Sequence, residues 1–197
     1  MVKEFQKKFV KNFLLLFSAS GLSQVILILS TPFLSRLYSP ADFGLFSFYV
    51  AIVTIISSVS TLKFELAILI PKDERESGMI FILGFSLIIL FSLFFGIILP
   101  WMLSVEYFNS LEKVWFITIV FPLNIFFLGN YQLIINWLIH KTRYKLISMA
   151  RITQVIVTVA VSLLLGYLNN TSGLIIGWFL GQIVFFVVLF SFVILKD

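Results

Sequence analysis

The sequence predicts an all-α, polytopic membrane protein that crosses the bilayer six times. Composition is the first reason: 60% of the 197 residues are hydrophobic and only 12% are charged, against about 25% charged residues in an ordinary soluble domain. The second reason is that the charges cluster and leave six apolar or weakly polar runs of 20 to 26 residues. A helix of that length spans a hydrocarbon core of ~30 Å at ~1.5 Å per residue. Residues 1–197 are therefore predicted to form a single membrane domain.

Short connections separate the six predicted spans. The spans are Asn12–Leu34, Phe43–Leu62, Gly78–Leu103, Val114–Ile139, Leu146–Leu168 and Gly173–Leu195. The longest connection, Lys63–Ser77, has 15 residues and leaves no room for a soluble domain. Cysteine is absent and there is one histidine, which excludes a disulfide framework, a thiolate catalyst and a His-based metal cluster. We expect no bound metal and no cofactor.

The N-terminus has two interpretations. Lys7-Lys8, the apolar Phe13–Phe17 and then Ser18-Ala19-Ser20 follow the three-part order of a signal peptide. However, the apolar run resumes at Val25 and continues to Leu34, which is too long for the apolar region of a signal peptide. We favour a retained first span, with cleavage as the alternative.

Basic residues follow the positive-inside pattern. Of the 14 Lys and Arg residues, eleven lie before the first span, between spans two and three, between spans four and five, or after the last span, and Arg151 lies near the same end of the fifth span. Only Arg36 and Lys113 lie on the opposite flanks. Because basic flanks stay in the cytoplasm, both termini are predicted to be cytoplasmic. Topology thereby accounts for the net charge of +5, and we expect no nucleic-acid partner.

Four of the predicted spans carry polar residues on one helical face, at ~100° per residue. These stripes contain Ser20, Gln24, Thr31 and Ser35 in the first span; Ser47, Thr54, Ser58, Thr61 and Glu65 along the second; Gly129, Gln132, Asn136 and His140 in the fourth; and Tyr144, Ser148, Arg151, Gln154, Thr158 and Ser162 in the fifth. Such residues either pack helices together or line a hydrophilic cavity. For the set as a whole we favour a cavity.

The residues predicted to line this cavity or contact a substrate are Gln24, Arg36, Ser58, Glu65, Gln132, Asn136, Arg151 and Gln154. Glu65 and Arg151 are expected to meet at the cytoplasmic mouth, although each could instead reach the interface alone. At helical spacing Lys63 points ~160° away from Glu65, which suggests a lipid-headgroup anchor. No group of residues suggests a catalytic site, because a solvated loop explains the acidic cluster Asp73, Glu74 and Glu76.

Local signals predict a helix start, a helix end and a packing face. Ser39 as N-cap, Pro40 at the first position and Asp42 at the capping-box position predict where the second span begins. Pro32 is expected to kink or end the first span. A row at spacing four, consisting of Gly173, Gly177 and Gly181, predicts close helix packing.

Three stretches resemble a known family. Leu37–Gly44 (LYSPADFG) is similar to the first external turn of the bacterial polysaccharide flippases. Phe64–Ile68 (FELAI), followed by Pro71-Lys72, is similar to the exit of their second helix, and Trp137–Arg151 looks like their helix 4–5 loop. These are the O-antigen and capsule repeat-unit transporters of the multidrug/oligosaccharidyl-lipid/polysaccharide exporter superfamily.

The resemblance implies a function, a location and partners. Such a protein would move an undecaprenyl-pyrophosphate-linked oligosaccharide across the bacterial inner membrane by alternating access between two six-helix lobes, often coupled to H⁺ or Na⁺. The chain corresponds to the N-terminal lobe, so its expected partners are the lipid-linked oligosaccharide, membrane lipids, and a second lobe or another copy. The alternatives are a truncated product, a fragment or a non-transporting interaction subunit. An enzyme is not expected.

Overall fold

Helices make up all the regular structure in the computed structural model, which describes residues 2–71, 73–103 and 111–196, with side chains over 17–71, 73–98 and 119–192. They are α1 (Val2–Leu37), α2 (Pro40–Ser60), α3 (Phe64–Ala67), α4 (Glu74–Leu103), α5 (Leu111–His140), α6 (Tyr144–Tyr167) and α7 (Gly173–Lys196). Within these ranges six helices are long and apolar enough to cross a membrane. The predicted multi-pass, all-α fold is confirmed. The predicted connection Ser104–Lys113 falls mostly outside the described residues.

The helices group into two compact units. The first unit comprises Met1–Phe48 and Leu138–Asp197, and the second comprises Tyr49–Trp137. In the first unit, α6 packs along both α1 and α7. In the second unit, the short helix α3 packs on α4. That the whole chain forms one membrane domain stays a prediction.

The predicted capping box at the start of α2 is confirmed. The backbone N–H and the hydroxyl of Ser39 both donate to Asp42 Oδ2, at 2.9 and 2.7 Å. The backbone N–H of Asp42 in turn contacts Ser39 Oγ at 3.3 Å. Two backbone donors that a helix start leaves without partners are thereby satisfied.

Helix α1 passes through Pro32 and ends at Leu37. Of the two effects expected of the proline, an end to the helix was wrong, and a kink stays a prediction. A proline removes one backbone donor and so leaves the carbonyl four residues earlier without its helical partner, but a membrane helix can continue past it. Thr31 Oγ1 donates to the carbonyl of Leu27 at 2.9 Å, and Ser35 Oγ donates to the carbonyl of Pro32 at 3.1 Å. Both bonds lie within a turn of the proline.

Helix α2 ends at Ser60, two residues before the predicted end. Leu62 and Lys63 adopt left-handed backbone conformations, with φ of 46° and 63°. Such conformations stop a right-handed helix, and for residues other than glycine they cost of order 1–3 kcal/mol each. The chain then enters α3, and Ser77 Oγ of α4 donates to the carbonyl of Ile68 at 3.1 Å, which fixes this segment against α4.

Within the first unit, Tyr38 connects α1 to α6. Its hydroxyl donates to the backbone carbonyl of Ser162 at 2.6 Å. Burial, and then the charge of Asp42, raises the pKa of Tyr38, so the phenol stays a neutral donor. The ring also belongs to a core cluster with Leu34 and Leu174.

The second unit contains two polar contacts between helices, one buried and one partly buried. Asn124 Nδ2 of α5 donates to Tyr49 Oη of α2 at 2.8 Å, and both residues are buried. Ser92 Oγ of α4 donates to the carbonyl of Pro122 at 2.8 Å. Aromatic contacts surround them, including Tyr49 against Phe121 with ring centroids 5.9 Å apart. Together these contacts join α2 and α4 to α5 and form the framework on which the site is built.

Candidate functional site

A polar pocket of about 280 Å³ lies within the second unit, between the end of α2, the turn into α3, and α5. Its lining residues are Thr54, Ser57, Ser58, Thr61, Lys63, Glu65, Leu66, Leu128, Gln132 and Asn136. Eight of these ten side chains carry a hydroxyl, an amide or a charge. Four of the eight predicted cavity residues therefore share one cavity: Ser58, Glu65, Gln132 and Asn136.

Helical spacing brings most of these side chains to one place. Thr54, Ser58 and Thr61 follow one another at intervals of four and three residues, which places them on one face of α2 and the turn after it. On α5, Gln132 and Asn136 are four residues apart and share a face in the same way. The two polar stripes predicted for these spans thus supply opposite walls of the polar pocket.

The turn after α2 adds the two charges of the pocket. Glu65 is only 6% exposed, and its Oε1 lies 3.7 Å from Nζ of Lys63, whose side chain is 66% exposed. The prediction that Lys63 points away from Glu65 was wrong. It assumed helical spacing across a stretch in which the helix has already ended and the backbone reverses at Leu62 and Lys63.

Polar atoms without partners concentrate around this pocket. Among the described side chains, seven buried nitrogen or oxygen atoms lack a hydrogen-bond partner. Three of the seven belong to residues that line the pocket: Ser57 Oγ, Thr61 Oγ1 and Glu65 Oε2. Leaving a buried group unsatisfied costs roughly 1–3 kcal/mol, and more if the group is charged. The pocket is therefore suited to a molecule that offers several hydrogen-bond donors and acceptors.

The other four predicted residues belong to the first unit. Arg151 Nη1 of α6 donates to Ser20 Oγ of α1 at 2.9 Å, which joins two of the predicted polar stripes. Gln154 is half-buried, whereas Gln24 and Arg36 are exposed. Because Arg151 and Glu65 lie in different units, their predicted contact stays a prediction.

Six lining residues were not among the predicted candidates. Thr54 and Thr61 belonged to the predicted polar stripe of the second span, whereas Ser57, Lys63, Leu66 and Leu128 did not. Ser57 is buried beside Ser58, and the adjacent serine pair was the available signal for a second hydroxyl. Lys63 was interpreted as a headgroup anchor, and only the left-handed turn reveals its contact with Glu65. Within the described part of the chain, no three His, Asp or Glu side chains are grouped so that they could hold a metal ion.

Comparison with known protein families gives a match. A family model described as "Polysaccharide biosynthesis protein" matches residues 33–196. The matched region includes every residue that lines the polar pocket. Neither a search of curated proteins nor a search of solved structures found a match.

Proposed function

The chain belongs to the polysaccharide biosynthesis protein family, and we propose that it is the N-terminal lobe of a flippase for lipid-linked oligosaccharide. Family membership supports a role in polysaccharide synthesis or export. The observation that carries the transport step is the polar pocket, which lies among helices long enough to cross a bilayer. A sugar headgroup cannot shed its hydrogen bonds to water in hydrocarbon without a large cost, so its passage requires a polar wall at membrane depth.

The proposed substrate is an undecaprenyl-pyrophosphate-linked oligosaccharide. Its polyprenyl tail would remain in lipid while the headgroup follows the polar side chains. Flipping makes and breaks no covalent bond, so binding groups suffice and no catalytic residue is required. Six of the ten lining residues carry a hydroxyl or an amide, the groups that exchange hydrogen bonds with sugars.

The proposed location is the bacterial inner membrane, with both termini in the cytoplasm. Lys63, Arg75, Lys141, Arg143 and Lys145 all lie in the connections that this orientation places inside. The polar pocket would then lie near the cytoplasmic ends of α2 and α5. A substrate assembled in the cytoplasm would meet the pocket at the start of its passage.

Single-cysteine labelling tests this orientation. The native chain contains no cysteine, and Thr171 and Glu76 are both exposed. In intact spheroplasts, Thr171→Cys is expected to react with a membrane-impermeant thiol reagent, whereas Glu76→Cys is expected to react only after the membrane is opened. Glu76 is a better probe than its buried neighbour Ser77. The reverse labelling pattern would disprove the orientation.

Loss of the protein distinguishes transport from synthesis. In cells that lack this gene, we expect surface polysaccharide to disappear and complete lipid-linked repeat units to accumulate in the inner membrane, because assembly continues while export stops. Thin-layer analysis of extracted lipids, with protection of the sugars from an externally added glycosidase, measures both effects. If the repeat units are missing or incomplete, the protein acts in synthesis and the flippase proposal fails.

A further inference from the structure

We infer that the polar pocket of the second unit is a subsite for one uncharged sugar residue of the transported headgroup, with Glu65 Oε2 as its central hydrogen-bond acceptor. The inference deepens the proposed function and rests on it for the identity of the ligand. It concerns the pocket alone, because every lining residue belongs to the same unit.

The charges of the pocket favour a neutral donor over an ion. Glu65 Oε1 already has the ammonium group of Lys63 at 3.7 Å, which compensates part of the carboxylate charge. The other oxygen, Oε2, is buried and has no partner. It therefore requires a hydrogen-bond donor, and a hydroxyl group provides one without bringing further charge into a buried site. A phosphate or an acidic sugar would instead place a second negative charge beside Glu65.

The remaining groups match the chemistry of a sugar ring. Ser57 Oγ and Thr61 Oγ1 are buried without partners, and each hydroxyl can both donate and accept. Neighbouring hydroxyls of a sugar have the same dual capacity. Gln132 and Asn136 add amide groups on the opposite wall. A donor-bearing ligand in the pocket would lie beside three residues that carry unpartnered polar atoms.

The size of the pocket limits how much of the headgroup enters. Its volume of about 280 Å³ lies just below the range of roughly 300–1,000 Å³ that is usual for pockets of drug-sized ligands. One sugar ring is compatible with that space, whereas a complete oligosaccharide is not. The rest of the headgroup must therefore lie outside this pocket.

Ligand-observed NMR on the full chain in lipid nanodiscs tests the inference. The probes are a neutral methyl hexoside, the corresponding methyl glucuronide and inorganic pyrophosphate, each compared by saturation transfer with empty nanodiscs. We expect saturation transfer to the neutral hexoside, binding of the glucuronide at least about tenfold weaker, and no specific binding of pyrophosphate. Stronger binding of either anion than of the hexoside would overturn the inference.

Substitution of Glu65 gives a signature that misfolding cannot produce. A hydrogen bond to a charged group contributes more binding free energy than one to a neutral group, so Glu65→Gln should weaken hexoside binding about tenfold. The same change removes the repulsion of the carboxylate and should strengthen glucuronide binding, so the preference for the neutral sugar narrows or reverses. Glu76→Gln, at an exposed acidic residue outside the pocket, is the matched control and should bind like the unchanged chain.

A second substitution keeps the test valid if Glu65→Gln does not fold. Thr61→Val preserves shape but removes a hydroxyl that lines the pocket, and should weaken hexoside binding several-fold. Thr153→Val, at an exposed position of α6, serves as its control. Equal hexoside binding by Thr61→Val and the unchanged chain overturns the inference. The inference is also overturned if the unchanged chain does not bind the hexoside, which is the result expected for a pocket that holds only water or a cation.

This experiment separates the inference from the proposed function. Sugar binding that depends on Glu65 and Thr61 supports the subsite even if lipid-linked units do not accumulate in cells without the gene. Conversely, accumulation of those units without sugar binding at the pocket would leave the flippase proposal standing and overturn the subsite.

Discussion

Leucine at position 177 is expected to force α6 and α7 apart. A Cβ atom at Gly177 would overlap Ser162 Oγ and would lie 2.8 Å from the backbone carbonyl oxygen of Thr158 and 3.0 Å from the backbone nitrogen of Ser162. A side chain could rotate away, but backbone atoms move only if the whole helix moves. Gly177→Leu should therefore reduce the free energy of unfolding by roughly 1–3 kcal/mol or more. For a chain of this size, each kcal/mol lost lowers Tm by about 2–4 °C.

Thermal unfolding in detergent measures this effect. Gly177→Ala should also lower the free energy of unfolding, but by less than Gly177→Leu. Gly44 provides the control because a Cβ at that position of α2 would meet nothing within 4 Å. Alanine favours a helix over glycine by about 1 kcal/mol, so Gly44→Ala should be neutral or slightly stabilising. Equal effects at the two positions would show that α6 and α7 do not depend on the glycine for their close approach.

The glycine row shows what could be predicted from sequence about packing and what could not. Spacing four identifies a face that allows a close approach, and it does so without knowledge of the partner. The structure supplies the partners, because a Cβ at Gly173 would overlap the hydroxyl of Tyr38 and one at Gly181 would overlap Oγ1 of Thr158. Tyr38 and Gly173 are 135 positions apart in the chain, so only the fold brings them together.

The helix boundaries show the same division between local and distant causes. The start of α2 was predicted because its capping residues, Ser39 and Asp42, lie three positions apart and interact directly. Its end was not predicted, because Leu62 and Lys63 are neither glycine nor asparagine and nothing in their identity indicates a left-handed conformation. That turn is what carries Glu65 into the pocket beside Lys63.

Expressed without a partner in a strain that lacks its own flippase, the 197-residue chain is expected to leave surface polysaccharide absent. The reason lies in side chains that the chain does not cover. Gln24 and Gln132 are exposed although each lies in a helix long enough to span the bilayer. In hydrocarbon an unsatisfied polar group costs several kcal/mol, so these positions are suited to contact another protein body or water rather than lipid.

A second six-helix lobe, or another copy of the chain, would cover these positions and complete a polar path. Alternating access also requires two bodies that move against each other around the substrate. Coexpression of the chain with a matching C-terminal lobe should therefore restore surface polysaccharide, measured by gel electrophoresis of the extracted glycan. Coexpression with the same lobe and a Gly177→Leu chain should restore much less, which shows that the folded chain itself is required.

The oligomeric state of the chain decides between the two possible partners. If the chain pairs with another copy, expression alone restores polysaccharide, and cysteine cross-linking from Gln24→Cys gives a dimer. If it pairs with a separate lobe, the chain alone gives nothing and the cross-link forms only when that lobe is present. Full restoration by a chain that remains monomeric would contradict the half-transporter, because the exposed glutamines would then face lipid in a working transporter. A further comparison uses a strain that has an active flippase, with and without the chain. Equal amounts of surface polysaccharide in the two cases would favour a non-transporting interaction subunit instead.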